Sequence, residues 1–375
     1  MFLPEGYRKK GIVCKLKKSL YGLKQASNRW NDHFATCMEV KGFKNLHGER
    51  CVFKNESGSI IIALHVDDGY VLHRNDAEIL DLFTFLQTKF EMKRVEDPEL
   101  FLGLQINKTE LGINICQKDF TLKVLQKFGM DDAKPVSVPI NDVSHDDLAN
   151  TDATFPYREA VGSLLYLANR TRPDISFAVS FVSRNMENPT ALDVARVKKI
   201  FRYLKKTETG FGITYEGNAC SPELVAYCDS DYAGDVQTRK STTGYVIFFR
   251  GGPVSWCSRK QPVVALSTCE AEFIAAAECL KDLKYLQSIM SEILEEEVKL
   301  KLFVDNQGTI DLMRNGVFNK RSRHIDVRYH YVHELVKKGH ILVEYVPSSE
   351  NVADILTKPL PKQAFEYLRQ KILNQ

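Results

Sequence analysis

The sequence predicts a multidomain protein of mixed class, α/β and α+β. Three observations predict this. Strand and helix patterns alternate up to about residue 117, residues 118–210 carry helical spacing, and from Glu223 the order becomes βββαβααβα. A chain of 375 residues has room for about two or three domains. Its hydrophobic fraction of 44% and charged fraction of 26% are those of folded globular chains, so disorder is set aside.

In the first half, Ala26–Lys41 has the spacing of an amphipathic helix. Cys51–Asn55 reads as a strand, Ser57-Gly58 as a turn and the Ile-rich Ser59–Val66 as a second strand. Asp67-Asp68 then forms a tight turn into Gly69–His73. Ile79, Leu80, Phe83, Leu86 and Phe90 give Asp76–Phe90 one apolar helical face. Leu100–Asn107 and Gly112–Gln117 form a strand pair around Thr109–Leu111. Pro135–Thr154, polar and Pro-containing, is a linker, and Gly210–Pro222 is a second connection.

In the second half, Leu224–Cys228, Gly244–Phe249 and Val254–Ser258 are strands. Cys269–Leu294 is a long one-sided helix through Phe273, Ala277, Leu280, Leu283, Leu286, Met290 and Leu294. Leu300–Val304 is a fourth strand, Gln307–Arg314 and Ile325–Lys338 are helices, Ile341–Val346 is a fifth strand, and a helical stretch covers Asn351–Leu356. A mixed five-stranded sheet with flanking helices follows from this order.

The net charge of +3 is small, but its distribution is uneven. Lys9, Lys10, Lys15, Lys17 and Lys18 crowd one end; Lys198, Lys199, Arg202, Lys205 and Lys206 crowd a helix; Lys320, Arg321 and Arg323 crowd a loop. Such clusters attract phosphates, although each also suits a solvated face. Nine cysteines without a Cys-x-x-Cys pair point to reduced, buried thiols in an intracellular protein rather than a zinc site. No apolar run nears the roughly 20 residues of a membrane span.

Four acids stand where this order of elements can bring them together. Asp229 ends the first strand of the second half, Glu272 lies in the first turn of the long helix, Asp305 ends the fourth strand and Asp354 starts the last helix. Clustered carboxylates repel and need a counter-charge. Divalent cations with oxygen ligands supply one, and a pair of them hydrolyses phosphodiesters without a covalent enzyme intermediate. Asp231 is a near alternative to Asp229, and Glu270 to Glu272.

The residues around these acids carry a resemblance. Val225–Asp235, Arg239–Tyr245, Trp256–Gln261, Ala265–Glu272, Val304–Gln307, Arg323–Asp326 and Val352–Lys358 together resemble the RNase H domain of copia-type retrotransposon Pol polyproteins. The resemblance implies that Asp229, Glu270 or Glu272, Asp305 and Asp354 bind metal. Glu272 is preferred because Glu-x-x-Ala continues through Ala275. Many members carry a His in the loop before the last acid; Pro347-Ser348-Ser349-Glu350 has none, so a mobile acid–base helper is not expected there, with Glu350 at most a contributor. The basic run Lys320–His324, with Arg321, Arg323 and His324, is expected to hold phosphates of the hybrid.

The first half resembles the reverse transcriptase of the same family. Ile62–Asp68 is similar to the turn whose paired acids, here Asp67 and Asp68, bind Mg²⁺, with His65 where Tyr is usual. Ser19–Trp30 resembles the motif before that hairpin; it implies a nucleotide-pocket role for Gln25 and has Ser27 where Pro is usual. Phe101-Leu102-Gly103-Leu104 resembles the hairpin that grips the primer end, and Tyr157–Arg158, Val161–Leu167 and Thr171–Ile175 resemble the helical region leading to RNase H. Met1–Gly6 resembles the segment just after the strand that carries the further polymerase Asp, so no polymerase activity is expected of this chain alone.

The resemblance thus implies a partial reverse-transcriptase palm at 1–115, a helical thumb or connection at 116–215, an RNase H-like domain at 223–360 and a C-terminal tail at 361–375. It implies hydrolysis of RNA in RNA–DNA hybrids with Mg²⁺ or Mn²⁺, RNA-directed DNA synthesis by the intact parent, and RNA–DNA hybrid and primer–template as partners. No membrane partner is expected. The alternative is a non-catalytic relic or host-retained fragment that binds nucleic acid through its basic clusters.

Overall fold

A computed structural model describes residues 5–110, 112–141, 154–208, 211–217, 222–315 and 323–374. They fall into two compact units, one of residues 1–96 with 288–295 and the other of 97–287 with 296–375. The mixed, multidomain class expected from the sequence is the class found.

The first unit begins with helix α1 (Ala26–Glu39), then strands β1 (Phe43–Asn45), β2 (Val52–Asn55), β3 (Ile60–His65) and β4 (Asp68–His73), then helix α2 (Asp76–Lys89). The strands form one antiparallel sheet in the order β1-β2-β3-β4. Ile60, Ile62 and Leu64 alternate inward along β3 and meet Phe34, Met38, Phe53, Ile79, Leu82 and Leu86 in one core. Asn75 caps α2, its side chain accepting from the amides of Ala77 and Glu78. The tight turn differs by one residue from the sequence reading. His65 pairs with Asp68, so the turn is Val66-Asp67 and Asp68 opens β4. Val66 has a left-handed φ of 58°, rare for a β-branched residue, and its carbonyl accepts from the Trp30 indole N–H.

The second unit starts with β5 (Leu100–Phe101), β6 (Leu104–Thr109) and β7 (Gly112–Cys116). The single strand expected over Leu100–Asn107 is therefore a hairpin. It turns at Leu102 and Gly103, whose φ values of 50° and 77° are those of a type I′ turn. Helices α3 (Lys118–Lys127), α4 (Tyr157–Ala168), α5 (Ser176–Val182) and α6 (Ala191–Lys206) follow. Thr190 and Asp193 cap α6 reciprocally. Next comes β8 (Gly212–Glu216), inside what the sequence suggested was a connection. Its partner β7 lies about a hundred residues earlier, a pairing invisible to local pattern.

Then come β9 (Glu223–Asp231), β10 (Thr242–Phe249), β11 (Gly252–Lys260), helix α7 (Thr268–Leu294), β12 (Lys299–Val304), helices α8 (Gln307–Asn315) and α9 (Arg323–Lys337), and β13 (Leu342–Tyr345). The sheet order is β11-β10-β9-β12-β13, with β9, β10 and β11 antiparallel and β12 parallel to both β9 and β13. This is the mixed five-stranded sheet expected from the sequence. The last helical stretch is a 3₁₀ helix, Val352–Leu356, and α10 (Lys362–Leu373) closes the chain. The segment read as a tail is thus an ordered helix that buries Phe365, Leu368, Ile372 and Leu373. These join Val161, Leu164, Val197 and Phe201 of α4 and α6, and Val246, Val352 and Leu356, in one cluster. The helical region and the five-stranded sheet therefore share a core.

A buried ion pair fixes part of that core. Arg172 meets Asp174 through two hydrogen bonds of 2.9 and 2.8 Å, Tyr203 donates to Asp174 at 2.6 Å, and Arg172 also donates to Thr207. The cysteines differ from expectation. Of the eight described, Cys116, Cys228 and Cys279 are buried, and Cys51 is exposed. Among the described residues no helix is long and apolar enough to cross a membrane.

Candidate metal centre

The site is assembled by the middle of the five-stranded sheet. β9 runs on to Asp231, so Asp229 lies within the strand rather than ending it. The extra length comes from β10, which pairs Gly244 with Asp229, Thr243 with Ser230 and Thr242 with Asp231. The neighbouring parallel strand β12 releases Asp305 just past its end. Asp354 sits in the middle of the 3₁₀ helix rather than at a helix start, held in place by Asn351, which accepts from the Ala353 amide and donates to the Cys228 carbonyl at 2.9 Å.

Carboxylate oxygens of Asp229, Asp305 and Asp354 all lie within 4.8 Å of one another. Among the described residues these form the one group of three or more His, Cys, Asp or Glu side chains placed to share an ion. Asp229 is buried, and the other two are half-buried. Burial, then the charge of Asp354, pushes the Asp229 carboxyl above the ordinary range. Burial, then Asp229, does the same to Asp305, opposed by a hydrogen bond from Ser348.

Glu272 is 4% exposed on α7. One of its oxygens accepts the Ser230 amide at 3.2 Å, and the other is buried without a hydrogen-bond partner. Burial, then the charges of Asp229 and Asp305, raises its carboxyl strongly. A buried, unpartnered carboxylate oxygen facing other acids is costly unless a proton or a cation meets it. The all-oxygen donor set and this orphaned atom fit a hard divalent cation such as Mg²⁺ or Mn²⁺.

The alternatives noted in the sequence are placed differently. Glu270 accepts the Leu266 amide at 2.8 Å, while its own amide donates to Ser267, the pattern of a helix start. Asp231 is half-buried, and its carboxyl is raised by burial. Glu350 is tied to Tyr367 at 2.6 Å and to Lys371, which hold its carboxyl below the ordinary range. That engagement argues against its serving as a mobile helper.

Sequence reasoning passed over three residues here. Lys358 lies 2.7 Å from Asp354 and 3.8 Å from Asp229. Thr357 donates its hydroxyl to Asp229. Gly244 leaves room for the 3₁₀ helix to approach β10. The Asp354–Lys358 spacing of four was the legible signal for the first.

Other expected contacts are distributed as follows. Asp67 and Asp68 are exposed at the β3–β4 hairpin, and Gln25 is exposed just before α1. Phe101 precedes the β5–β6 turn and Gly103 is its second residue; Tyr166 donates to the Leu102 carbonyl there at 3.1 Å. Arg321 lies outside the described residues, and Arg323 and His324 begin helix α9 rather than a loop. The basic cluster of α6 is largely committed within the protein. Arg202 donates to the Lys134 carbonyl at 2.7 Å, Lys205 pairs with Glu208 at 3.0 Å, Lys206 pairs with Glu366 at 3.8 Å, and Lys199 is buried.

A family model for reverse transcriptase (RNA-dependent DNA polymerase) matches residues 2–142. The retrovirus-related Pol polyprotein from transposon TNT 1-94 of Nicotiana tabacum is 39% identical over 98% of this chain. This chain spans 29% of that polyprotein's length. A transposon Ty5-1 protein of Saccharomyces cerevisiae is 31% identical over 75% of this chain and 94% of its own length. Among solved structures, a foamy viral protease-reverse transcriptase in complex with dsDNA aligns over 88% of this chain and 60% of its own, at 13% identity and a TM-score of 0.48.

Proposed function

Given that the chain belongs to the retrovirus-related Pol polyproteins of copia-type transposons, we propose that its residues 223–360 cut the RNA strand of RNA–DNA hybrids with bound divalent metal. The observation that carries this reading is the convergence of Asp229, Asp305 and Asp354 within 4.8 Å, beside the unpartnered Glu272 oxygen. Asp229, Glu272, Asp305 and Asp354 would hold Mg²⁺ or Mn²⁺. Bound there, the metal supplies an activated water and charge stabilisation for the leaving oxygen of a phosphodiester.

The chain's own residues do the positioning. Thr357 and the Ser230 amide orient Asp229 and Glu272 through hydrogen bonds. The rigid ladder of β9 on β10 holds Asp229 against the 3₁₀ helix that bears Asp354. Arg321, Arg323 and His324 are assigned to the hybrid's phosphates.

In the reverse-transcriptase half, the same reading assigns Asp67 and Asp68 to the polymerase metals, Gln25 to the nucleotide, and Phe101 and Gly103 to the primer–template. The test is cleavage of a labelled RNA–DNA hybrid by the purified chain with and without Mg²⁺, beside Asp229→Asn. Metal-dependent cutting that the substitution abolishes supports the reading; metal-independent cutting, or cutting undiminished in the variant, defeats it.

A further inference from the structure

Lys358 stands in the place a divalent cation would compete for. Its ammonium lies 2.7 Å from Asp354 Oδ1 and 3.8 Å from Asp229 Oδ2. Those two carboxylates belong to the trio whose oxygens lie within 4.8 Å of one another. Among the described residues, Lys358 is the one cation ion-paired with either of them. Arg184 and Lys260, cations of neighbouring elements, are committed to Asp235 at 3.3 and 3.2 Å.

Carboxylates this close repel one another strongly in a partly desolvated pocket. Lys358 relieves that repulsion without any ion. Its side chain is 37% exposed, so its stem has an open way out to solvent. A lysine suits an exchangeable role better than an arginine would, because its ammonium is compact, strongly hydrated and carried on a flexible stem.

We propose that Lys358 is the site's own exchangeable counter-cation: it holds Asp229 and Asp354 together in the metal-free protein, and a divalent ion enters by displacing its ammonium toward solvent. The inference rests on the reading of the four acids as a metal site and deepens it. Metal affinity is then a difference between two cations contending for the same oxygens. The resting protein stays folded without metal, and binding begins with the release of one ion pair.

The experiment uses the full chain without nucleic acid. Mn²⁺ binding is followed by titration calorimetry, and melting is followed in EDTA, for wild type, Lys358→Gln, Lys358→Arg and Asp229→Asn. Lys358→Gln is expected to melt several degrees lower in EDTA and to bind Mn²⁺ at least about fivefold more tightly, the low end of ordinary coupling between two ligands. Lys358→Arg is expected to keep the melting temperature and to weaken Mn²⁺ binding, because a guanidinium grips carboxylates through two hydrogen bonds. The arginine variant carries the test alone if the glutamine variant does not fold. If Asp229→Asn abolishes Mn²⁺ binding while the Lys358 variants leave it unchanged, this proposal falls and the metal reading stands. If Asp229→Asn binds Mn²⁺ as wild type does, the metal reading falls and the proposal with it.

Discussion

Gly244 lies directly opposite Asp229 in the β9–β10 ladder, and its missing side chain is what lets the 3₁₀ helix carrying Asp354 approach. A Cβ there would stand 2.5 Å from Thr357 Cγ2 and 3.0 Å from the Ala353 carbonyl. The backbone oxygen cannot yield unless the 3₁₀ helix shifts. Gly244→Ala is therefore predicted to cost about 1–3 kcal/mol of stability, the usual cost of overpacking, and to reduce hybrid cleavage more than it reduces folding. Urea melts and single-turnover cleavage check both.

The two glutamates at the start of α7 are predicted to behave differently. Glu270 accepts a backbone amide at the helix start, so Glu270→Ala should cost about 0.5–2 kcal/mol, as loss of a cap does, and leave cleavage nearly intact. Glu272→Gln should leave stability equal or higher and lower cleavage by about a hundredfold or more, a typical loss when a charge-stabilising group is removed. Equal cleavage defects in the two variants would show that the assignment between them is wrong.

The metal-free protein is predicted to be more stable in mild acid than at neutral pH. Burial, then neighbouring charge, raises Asp229 and Glu272 above their unfolded values. Between an ordinary carboxylate value of about 4 and the raised values, the native state binds more protons than the unfolded chain. Rising pH through that window therefore removes stability. Thermal melts in EDTA across that window should show the decline, and Glu272→Gln should flatten it. A Glu272→Gln profile as steep as wild type would contradict the cause given.

The buried pair of Arg172 and Asp174 gives a prediction about the shared core. Asp174→Ala would leave the Arg172 guanidinium, 2% exposed, without its ion-pair partner, with Thr207 as the acceptor that remains. The expected loss is about 3–5 kcal/mol, read by urea denaturation. Asp174→Asn, which keeps a hydrogen-bond acceptor for Tyr203, should lose less.

These cases also mark how far the sequence could be read. The long helix over Thr268–Leu294, the hairpin of β10 and β11, and the alternation of strands and helices after Glu223 are local, periodic signals. β8 was hidden because its pairing with β7 is non-local and glycine and asparagine flank it. The 3₁₀ form of Val352–Leu356 was hidden because one turn of apolar spacing does not separate it from an α-helix. The acids were visible as residue types at element ends. The parts of Thr357, Lys358 and Gly244 depend on side chains meeting across elements, which no spacing alone displays.

The most direct measurement of the central claim is anomalous scattering from a crystal of the chain soaked in Mn²⁺. The account predicts anomalous density at bonding distance from the oxygens of Asp229, Asp305 and Asp354, with Glu272 reaching the same ions. Crystals that take up Mn²⁺ elsewhere, with no density among those carboxylates, would contradict it.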